Sequence, residues 1–192
     1  MFSKSLKHVL WVLLWVFTMA GHAKTPGEVE VGSVLRQATM RGLNGPDRKL
    51  GDFRGKPLVI NVWASWCPPC IAEMGSLERL AWSDLGQQFS VIGISTDDYP
   101  EAAKGFLRKS SATLNHYIDY QLELEHMLGA DHLPLTLLVD AQGRVLSKTV
   151  GAREWDSPES MRMIRNAFRL NKAPVTPATA PPKKSDLTST KQ

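Results

Sequence analysis

The stretch that decides the fold is VINVWASWCPPCIAEM, residues 59–74. Its first half belongs to a run from Pro57 to Ala64 that is rich in Val, Ile and Trp, and such a run predicts a buried β-strand. Pro68 and Pro69 follow within a few residues, and proline is tolerated in a first helical turn because its missing N–H has no partner there. The stretch therefore predicts a strand that passes through a tight turn directly into a helix.

The helix after the two prolines has a periodic apolar face. Residues at spacings of three and four form it, namely Ile71, Met74, Leu77, Ala81 and Leu85. Because such spacings place side chains on one side of a helix, we expect this whole face to be buried.

Strands and helices alternate along the rest of the chain. Apolar runs of strand length occupy residues 89–95, 135–140 and 144–150, and helical patterns occupy 100–110, 122–128 and a segment starting at Ser157. The last two strands are joined by Ala141-Gln142-Gly143, and so short a turn joins only antiparallel neighbours. The element order predicts an α/β fold with one central mixed β-sheet flanked by helices on both faces.

The chain has only two cysteines, Cys67 and Cys70. Cys67 opens the predicted helix, so its thiol faces unpaired backbone N–H groups and the positive end of the helix dipole. This environment lowers the pKa of a thiol toward neutrality. Cys70 lies one turn later on the same side, close enough to bridge to Cys67. We predict that Cys67 is the attacking nucleophile and Cys70 the resolving thiol.

A CxxC pair also occurs as half of a zinc site or as an inert structural disulfide. A zinc site needs two further ligands, and the histidines are scattered. They are His8, His22, His116, His126 and His132. A structural disulfide needs no strand-to-helix junction. The pattern therefore favours a redox role without metal or cofactor, in which the Cys67–Cys70 disulfide is itself the redox centre.

Leu133-Pro134 stands just before the strand of residues 135–140. A proline that enters a strand in this way is often cis and marks a tight functional turn, although an ordinary trans proline is the alternative. If this turn lies beside the cysteines, the Leu133 backbone can pair with an extended substrate.

Glu73 follows Cys70 by three residues. A resolving thiol needs a base, and a partly buried carboxylate has its pKa raised toward useful values. We therefore predict that Glu73 accepts a proton near Cys70. A solvated surface charge is the alternative.

These motifs, with HLPLTLLVDAQGRV at residues 132–145, resemble the thioredoxin superfamily, and more closely the exported TlpA/ResA-type thiol–disulfide oxidoreductases. The likeness spans roughly residues 34–170. It implies a thioredoxin-like fold, an attacking Cys67, a buried Cys70 and a cis Pro134.

The resemblance also assigns roles around the pair. It implies that Glu73 tunes the cysteines, and it matches Trp66 to the tryptophan that flanks the family's nucleophile. We predict that Trp66, Leu133 and Pro134 contact the substrate. Asn61 stands where cytoplasmic thioredoxins have a buried Asp, which makes Glu73 the natural replacement for that acid.

Three positions depart from the family pattern. Gly75 stands where Pro is usual, which predicts a relieved helix kink. Leu135 follows Pro134 where Thr is usual, which predicts a more apolar substrate groove. His132 stands where a small residue is common. It either brings a titrating charge near the site or is an ordinary exposed histidine of a loop.

Relatives of this type mostly act as reductases that keep selected protein thiols reduced, commonly those of apo-cytochrome c or of copper sites. The resemblance therefore implies a specific protein-disulfide reductase that is recharged by a membrane thiol electron donor. The alternatives are a disulfide oxidase or isomerase, a Cu(I)-binding chaperone that uses the two thiolates, and a peroxidase of related fold.

The two ends differ from the body in composition. Residues 1–23 join a basic start, an apolar run and Gly-His-Ala, the pattern of a secretory signal peptide. The apolar run is shorter than the roughly 20 residues of a spanning helix, so cleavage is favoured over an uncleaved membrane anchor. Residues 173–192 form a Pro- and Lys-rich tail predicted to be disordered. We expect a thioredoxin-like domain over residues 24–172 in the periplasm.

The excess positive charge also belongs to the ends. Residues 24–172 carry 18 Lys and Arg against 18 Asp and Glu. Because nucleic-acid binders concentrate basic charge on the folded body, this balance argues against nucleic acid as a partner. Nothing in the sequence resembles a dimerisation segment, and we expect a monomer whose partners are proteins with thiols or disulfides.

Overall fold

The computed structural model describes residues 27–119 and 121–170. Its strands are β1 (Thr39–Gly42), β2 (Arg48–Lys49), β3 (Leu58–Trp63), β4 (Ser90–Ser95), β5 (Asn115–Ile118), β6 (Leu135–Val139) and β7 (Val145–Val150). Its α-helices are α1 (Pro68–Trp82), α2 (Pro100–Lys109), α3 (Glu123–Leu128) and α4 (Pro158–Phe168). Short 3₁₀ helices occupy Leu50–Phe53 and Gly86–Gln88.

All strands belong to one sheet in the order β2-β1-β5-β4-β3-β6-β7. β3, β4 and β5 run parallel, whereas β6 is antiparallel to β3 and β7 to β6. β1 pairs with β5 and β2 in antiparallel fashion. The sheet is therefore mixed, as the sequence predicted.

The central strand β3 is buried along its whole length because helices cover both faces of the sheet. Leu58, Ile60 and Val62 point to one face and join a core cluster with α3. Val59 and Trp63 point to the other face, where Val59 packs with α1 and α4 and Trp63 with α1 and α2. This alternation carries the side chain of Asn61 to the face on which α1 lies.

Helix α1 begins at Pro68, as predicted, but its buried face differs from the predicted one. Ile71 is 41% exposed, so its assignment to the core was wrong. Leu85 is buried but lies beyond the end of the helix. Met74 and Leu77 are buried as predicted, and the same buried face also includes Cys70 and Glu73. The burial of Glu73 was not predicted because the helical face was identified from apolar residues alone.

The strands β1, β2 and β5 were not predicted from the sequence. Asn115 and His116 make half of β5 polar, which conceals the expected run of apolar residues. Tertiary context forms this strand, since β5 takes its register from β4 through pairs such as Gly93 with His116.

The predicted signal peptide, residues 1–23, and the predicted tail, residues 173–192, lie outside the described residues. Within residues 27–119 and 121–170, every helix is too short or too polar to cross a membrane.

Candidate active site

Cys67 and Cys70 form a disulfide at the start of α1. Cys67 is the N-cap residue, Pro68 and Pro69 take up the first helical positions, and the Cys70 N–H donates to Cys67 Sγ at 3.3 Å. The two Cα atoms are 5.3 Å apart. Both cysteines are buried, and the small accessible surface of the pair belongs to Cys67, which is 4% exposed against 0% for Cys70.

The turn before Cys67 is fastened to the end of β4 by Asp97. The Asp97 carboxylate accepts hydrogen bonds from the Ser65 N–H at 3.0 Å, the Ser65 hydroxyl at 2.6 Å and the Ser95 hydroxyl at 2.7 Å. Asp97 is buried, whereas Trp66, between Ser65 and Cys67, is 67% exposed. The clamp thus fixes the backbone beside the nucleophile and leaves a large aromatic surface next to it.

Glu73 is buried, with only 2% of its surface exposed, and lies one helical turn after Cys70. Its Oε1 accepts from Asn61 Nδ2 at 2.7 Å, and its Oε2 accepts from the Arg153 N–H at 3.0 Å and from Trp155 Nε1 at 2.9 Å. Burial raises the pKa of the Glu73 carboxyl above its usual value, against the opposing effect of these hydrogen bonds. The prediction of a carboxyl with a raised pKa is borne out in direction, and its burial is deeper than expected.

Asn61 supports Glu73 from the sheet. Its Nδ2 donates both to Glu73 Oε1 and to Thr136 Oγ1, the latter at 3.0 Å. Because Asn61 is on β3, Thr136 on β6 and Glu73 on α1, one amide ties three elements together. Asn61 stands at the position where cytoplasmic thioredoxins carry a buried Asp. In this protein that position donates a hydrogen bond to the acid on α1, Glu73.

The Leu133–Pro134 peptide bond is cis, as predicted. Leu133 packs against the core cluster that contains Cys67 and Cys70. Pro134 is buried, and its carbonyl accepts from the Gly151 N–H at 2.9 Å. The structure therefore brings together the predicted cysteines, Leu133 and Pro134.

The structure decides two of the departures from the family pattern, against the expectation for Leu135 and between the two alternatives for His132. Leu135 is buried in the core cluster on the opposite face of the sheet, so it does not make the groove more apolar. His132 lies on an exposed loop with its Nδ1 3.3 Å from the Asp131 carboxylate, which is the alternative of a loop histidine.

Among residues 27–119 and 121–170, the His, Cys, Asp and Glu side chains form no group of three or more that could hold a metal ion. The two sulfurs are bonded to each other and are accompanied by a hydrogen-bonded carboxylate rather than by further soft ligands. The site is built as a dithiol–disulfide couple with an adjacent buried acid.

The sequence matches the model of a known protein family. The family model described as Redoxin matches residues 30–163, which is more than half of the chain. The chain belongs to the Redoxin family. The match includes both cysteines, Glu73 and the Leu133–Pro134 turn.

Relatives of this Redoxin-family chain are thiol–disulfide enzymes. It is 27% identical over 131 residues to the thiol-disulfide oxidoreductase ResA of Bacillus cereus (strain ATCC 10987 / NRS 248), covering 68% of this chain and 76% of that one. It is 34% identical over 137 residues to the thiol:disulfide interchange protein DsbE of Vibrio cholerae serotype O1, covering 66% and 70%. The chain is therefore a thiol–disulfide oxidoreductase of the ResA/DsbE type.

Solved structures agree on the fold. A Chlorobium tepidum protein described as a thiol:disulfide interchange protein DsbE matches with a TM-score of 0.67 at 24% identity, covering 73% of this chain and 99% of that one. StoA from Bacillus subtilis matches with a TM-score of 0.55 at 17% identity, covering 70% and 97%. At such identities the likeness concerns the fold alone, and that fold is thioredoxin-like.

Sequence reasoning missed part of the site in this Redoxin-family protein. Trp155 and Arg153 come from the loop between β7 and α4, and no spacing rule connects them to Glu73. Asp97 carried a signal, because a polar residue directly after a buried parallel strand lies at the edge where sites form.

Proposed function

We propose that the protein reduces specific protein disulfides outside the cytoplasm, with Cys67 as the nucleophile and Cys70 as the resolving thiol. The observation that carries the proposal is the buried, hydrogen-bonded carboxylate of Glu73 one helical turn from the buried Cys70. Burying a carboxyl group costs folding free energy because the group is desolvated. An inert structural disulfide does not require such a group beside it, whereas a redox-active pair does.

The first step uses the reduced protein. The Cys67 thiolate, stabilised by the N-terminus of α1, attacks one sulfur of a substrate disulfide. A Cys67–substrate disulfide forms, the substrate S–S bond breaks, and the second substrate sulfur leaves as a thiolate that takes a proton from water. The proximity of the Cys70 N–H to Cys67 Sγ supports this assignment, since the same N–H can donate to a thiolate.

The second step needs a base. The Cys70 thiol transfers its proton to the Glu73 carboxylate, and the resulting thiolate attacks Cys67 Sγ. The Cys67–Cys70 disulfide forms as the substrate leaves with its second thiolate. The departing thiolate takes a proton from water, and Glu73 returns its proton to water. The substrate thus gains two electrons from the cysteine pair and two protons from the solvent, and the reaction calls for no further cofactor.

Substrate contact by Trp66, Leu133 and Pro134 is proposed from the exposure of Trp66 and from the turn at Leu133, which is partly exposed, whereas Pro134 itself is buried. Trp66 offers an exposed aromatic face beside the reactive sulfur. The Leu133–Pro134 turn borders the cluster that contains the disulfide, which suits backbone pairing with an extended substrate strand. The proposed substrates are chains with paired cysteines, such as apo-cytochrome c or copper-site proteins.

We propose the direction of electron flow from the family resemblance, and the compartment from the predicted signal peptide of residues 1–23. A reductase in the oxidising periplasm must be recharged, and we assign this task to a membrane thiol electron donor. The sequence likeness to ResA and DsbE supports the proposal.

The test combines a redox potential with a turnover assay on the purified protein. We expect a potential well below about −180 mV, a value typical of an isomerase, together with reduction of insulin in the presence of a dithiol donor. A potential above that value, with oxidation of a dithiol peptide, overturns the reductase in favour of an oxidase. Tight one-to-one binding of Cu(I) without disulfide turnover overturns it in favour of a copper chaperone.

A further inference from the structure

Trp155 lies outside every motif discussed for the redox site, yet its indole contacts the acid of that site. The Trp155 Nε1–H donates to Glu73 Oε2 at 2.9 Å, between residues that are 82 positions apart in sequence. Trp155 is fully buried, so this bond is shielded from competing water. We propose that Trp155 is a positioning residue that holds the Glu73 carboxylate one turn from Cys70 and keeps it available as an ionised proton acceptor. The inference rests on the proposed role of Glu73.

The two carboxylate oxygens are held from two different sides. Asn61, on the central strand, donates to Oε1 at 2.7 Å. Trp155 and the backbone N–H of Arg153, in the loop after β7, donate to Oε2 at 2.9 and 3.0 Å. All of these donors are neutral dipoles rather than cations. The anion therefore depends on the full set of donors, and the loss of one leaves a buried charge partly unsatisfied.

The loop that carries Trp155 is also fastened to α1 by contacts that do not involve the Glu73 carboxylate. The Ser76 hydroxyl accepts from the Trp155 N–H at 3.0 Å, and its one proton is shared between the Glu73 backbone carbonyl at 2.7 Å and the Arg153 carbonyl at 3.2 Å. Arg79, one turn further along α1, forms a bidentate pair with Asp156 at 2.6 and 3.2 Å. These contacts bind the loop to α1 and thereby fix the position of the Trp155 indole relative to Glu73.

The chemical consequence concerns the protonation state of Glu73. Burial raises the pKa of Glu73, and the Trp155 hydrogen bond acts in the opposite direction. In Trp155→Phe the ring still fills the core while the donor is lost. Removing a donor to a buried anion by this substitution shifts the protonation midpoint upward by about one pH unit. Below the new midpoint, Glu73 already carries a proton and cannot take the proton of Cys70.

The contact itself is tested by NMR on the ¹⁵N-labelled oxidised protein, in which the cysteines do not titrate. We expect the indole N–H resonance of Trp155, identified by its loss in Trp155→Phe, to move with pH in a single transition. The same resonance in Glu73→Gln loses this transition. An indole resonance that does not respond to pH, or that responds equally in Glu73→Gln, overturns the inference.

The functional consequence is tested with 5,5′-dithiobis(2-nitrobenzoate) on the reduced protein. The first coloured thiolate is released when Cys67 attacks, and the second is released when Cys70 resolves the mixed disulfide. We expect the pH midpoint of the second phase to rise by about one unit in Trp155→Phe. Ser76→Ala is the matched control, because it weakens the same loop without removing a donor to the Glu73 carboxylate, and its midpoint is expected to be unchanged.

The outcomes separate the two proposals. A Trp155→Phe midpoint equal to that of the wild type, or an equal shift in Ser76→Ala, overturns the positioning role of the indole. A second phase that is as fast in Glu73→Gln as in the wild type overturns Glu73 as the proton acceptor. In that case the indole titration still decides, on its own, whether Trp155 holds the ionised carboxylate.

Discussion

The carboxylate of Asp97 binds both the backbone N–H and the hydroxyl of Ser65, at 3.0 and 2.6 Å. Asp97 follows β4, and Ser65 follows β3 and precedes the redox-active turn by two residues. One buried side chain thus joins the ends of two parallel strands at the point where Cys67 is presented. The relationship explains how a turn with an exposed Trp66 keeps a defined backbone.

Asp97→Ala removes this clamp and leaves the Ser65 N–H and the Ser95 hydroxyl without their acceptor. We expect the free energy of unfolding to fall by about 2–4 kcal/mol, since each buried polar group left unsatisfied costs about 1–3 kcal/mol. Denaturation with guanidinium chloride measures the change. Asp98→Ala, an exposed neighbour, is the control and is expected to be neutral. Equal stability of the two variants contradicts the clamp.

Replacing each cysteine separately distinguishes their roles. Cys67→Ser is expected to abolish disulfide reduction, because the fully buried Cys70 cannot reach a substrate sulfur. Cys70→Ser is expected to accumulate mixed disulfides with its substrates, since the resolving thiol is absent. Non-reducing gels of the trapped species, followed by mass spectrometry, identify substrate and donor together. Mixed disulfides on Cys70 in the Cys67→Ser protein contradict this order.

Glu73→Gln tests the acid in both stability and rate. The folded-state pKa of Glu73 is raised, so its stabilising contribution is present below the unfolded pKa and is lost as pH rises through the folded pKa. Gln has no such loss, and it fits the site if the Asn61 amide flips and Thr136 donates to it. We expect the variant to gain stability relative to the wild type as pH rises above 4.5.

The same variant is expected to slow the resolving step about 100-fold, the usual contribution of a positioned general base. Urea unfolding at several pH values and the second phase of the thiol assay give the two measurements. A stability difference that does not change with pH contradicts the buried, proton-binding carboxyl.

His116 is a buried histidine that faces Trp63 with ring centroids 5.4 Å apart. Burial lowers the pKa of His116 to about 3, from an ordinary value of 6.5. The unfolded chain therefore binds a proton at a higher pH than the folded one, so stability is fully present above pH 6.5 and declines as pH falls toward 3.

Between pH 7 and pH 5 this histidine is expected to cost the wild type about 2 kcal/mol of unfolding free energy. His116→Leu, which cannot titrate, is expected to lack that part of the pH dependence. The comparison uses thermal and urea unfolding at both pH values. Parallel pH profiles for the two proteins contradict a neutral buried imidazole.

Gly93 leaves the space that His116 occupies. A Cβ atom at position 93 would lie 2.1 Å from His116 Nδ1, a buried ring atom on the neighbouring strand β5 whose imidazole also packs against Trp63. Gly93→Ala is therefore expected to destabilise the protein by about 1–3 kcal/mol through overpacking. Gly105→Ala, on α2 with no close contact, is the control and is expected to be neutral or slightly stabilising. Equal melting temperatures contradict the proposed clash.

The chemistry of the site was readable from the sequence because it is local. Cys67, Cys70 and the two prolines between them lie within a single helical turn, and Glu73 follows one turn later. Short spacing at a strand-to-helix junction determines which groups meet, whatever the rest of the chain does. The cis Leu133–Pro134 bond was implied by the resemblance to thioredoxin-like proteins, because a proline at the start of a strand by itself leaves the trans form open.

The surroundings of Glu73 were decided only by the tertiary structure. Asn61, Arg153 and Trp155 reach one carboxylate from β3 and from the loop after β7. The β5 strand likewise forms because β4 offers it a partner, although its own residues include a buried histidine. Pairings between distant segments depend on how the sheet orders its strands and how α1 packs across it. A linear pattern of residues contains no measure of that packing, so the environment that tunes the acid appears only in the folded chain.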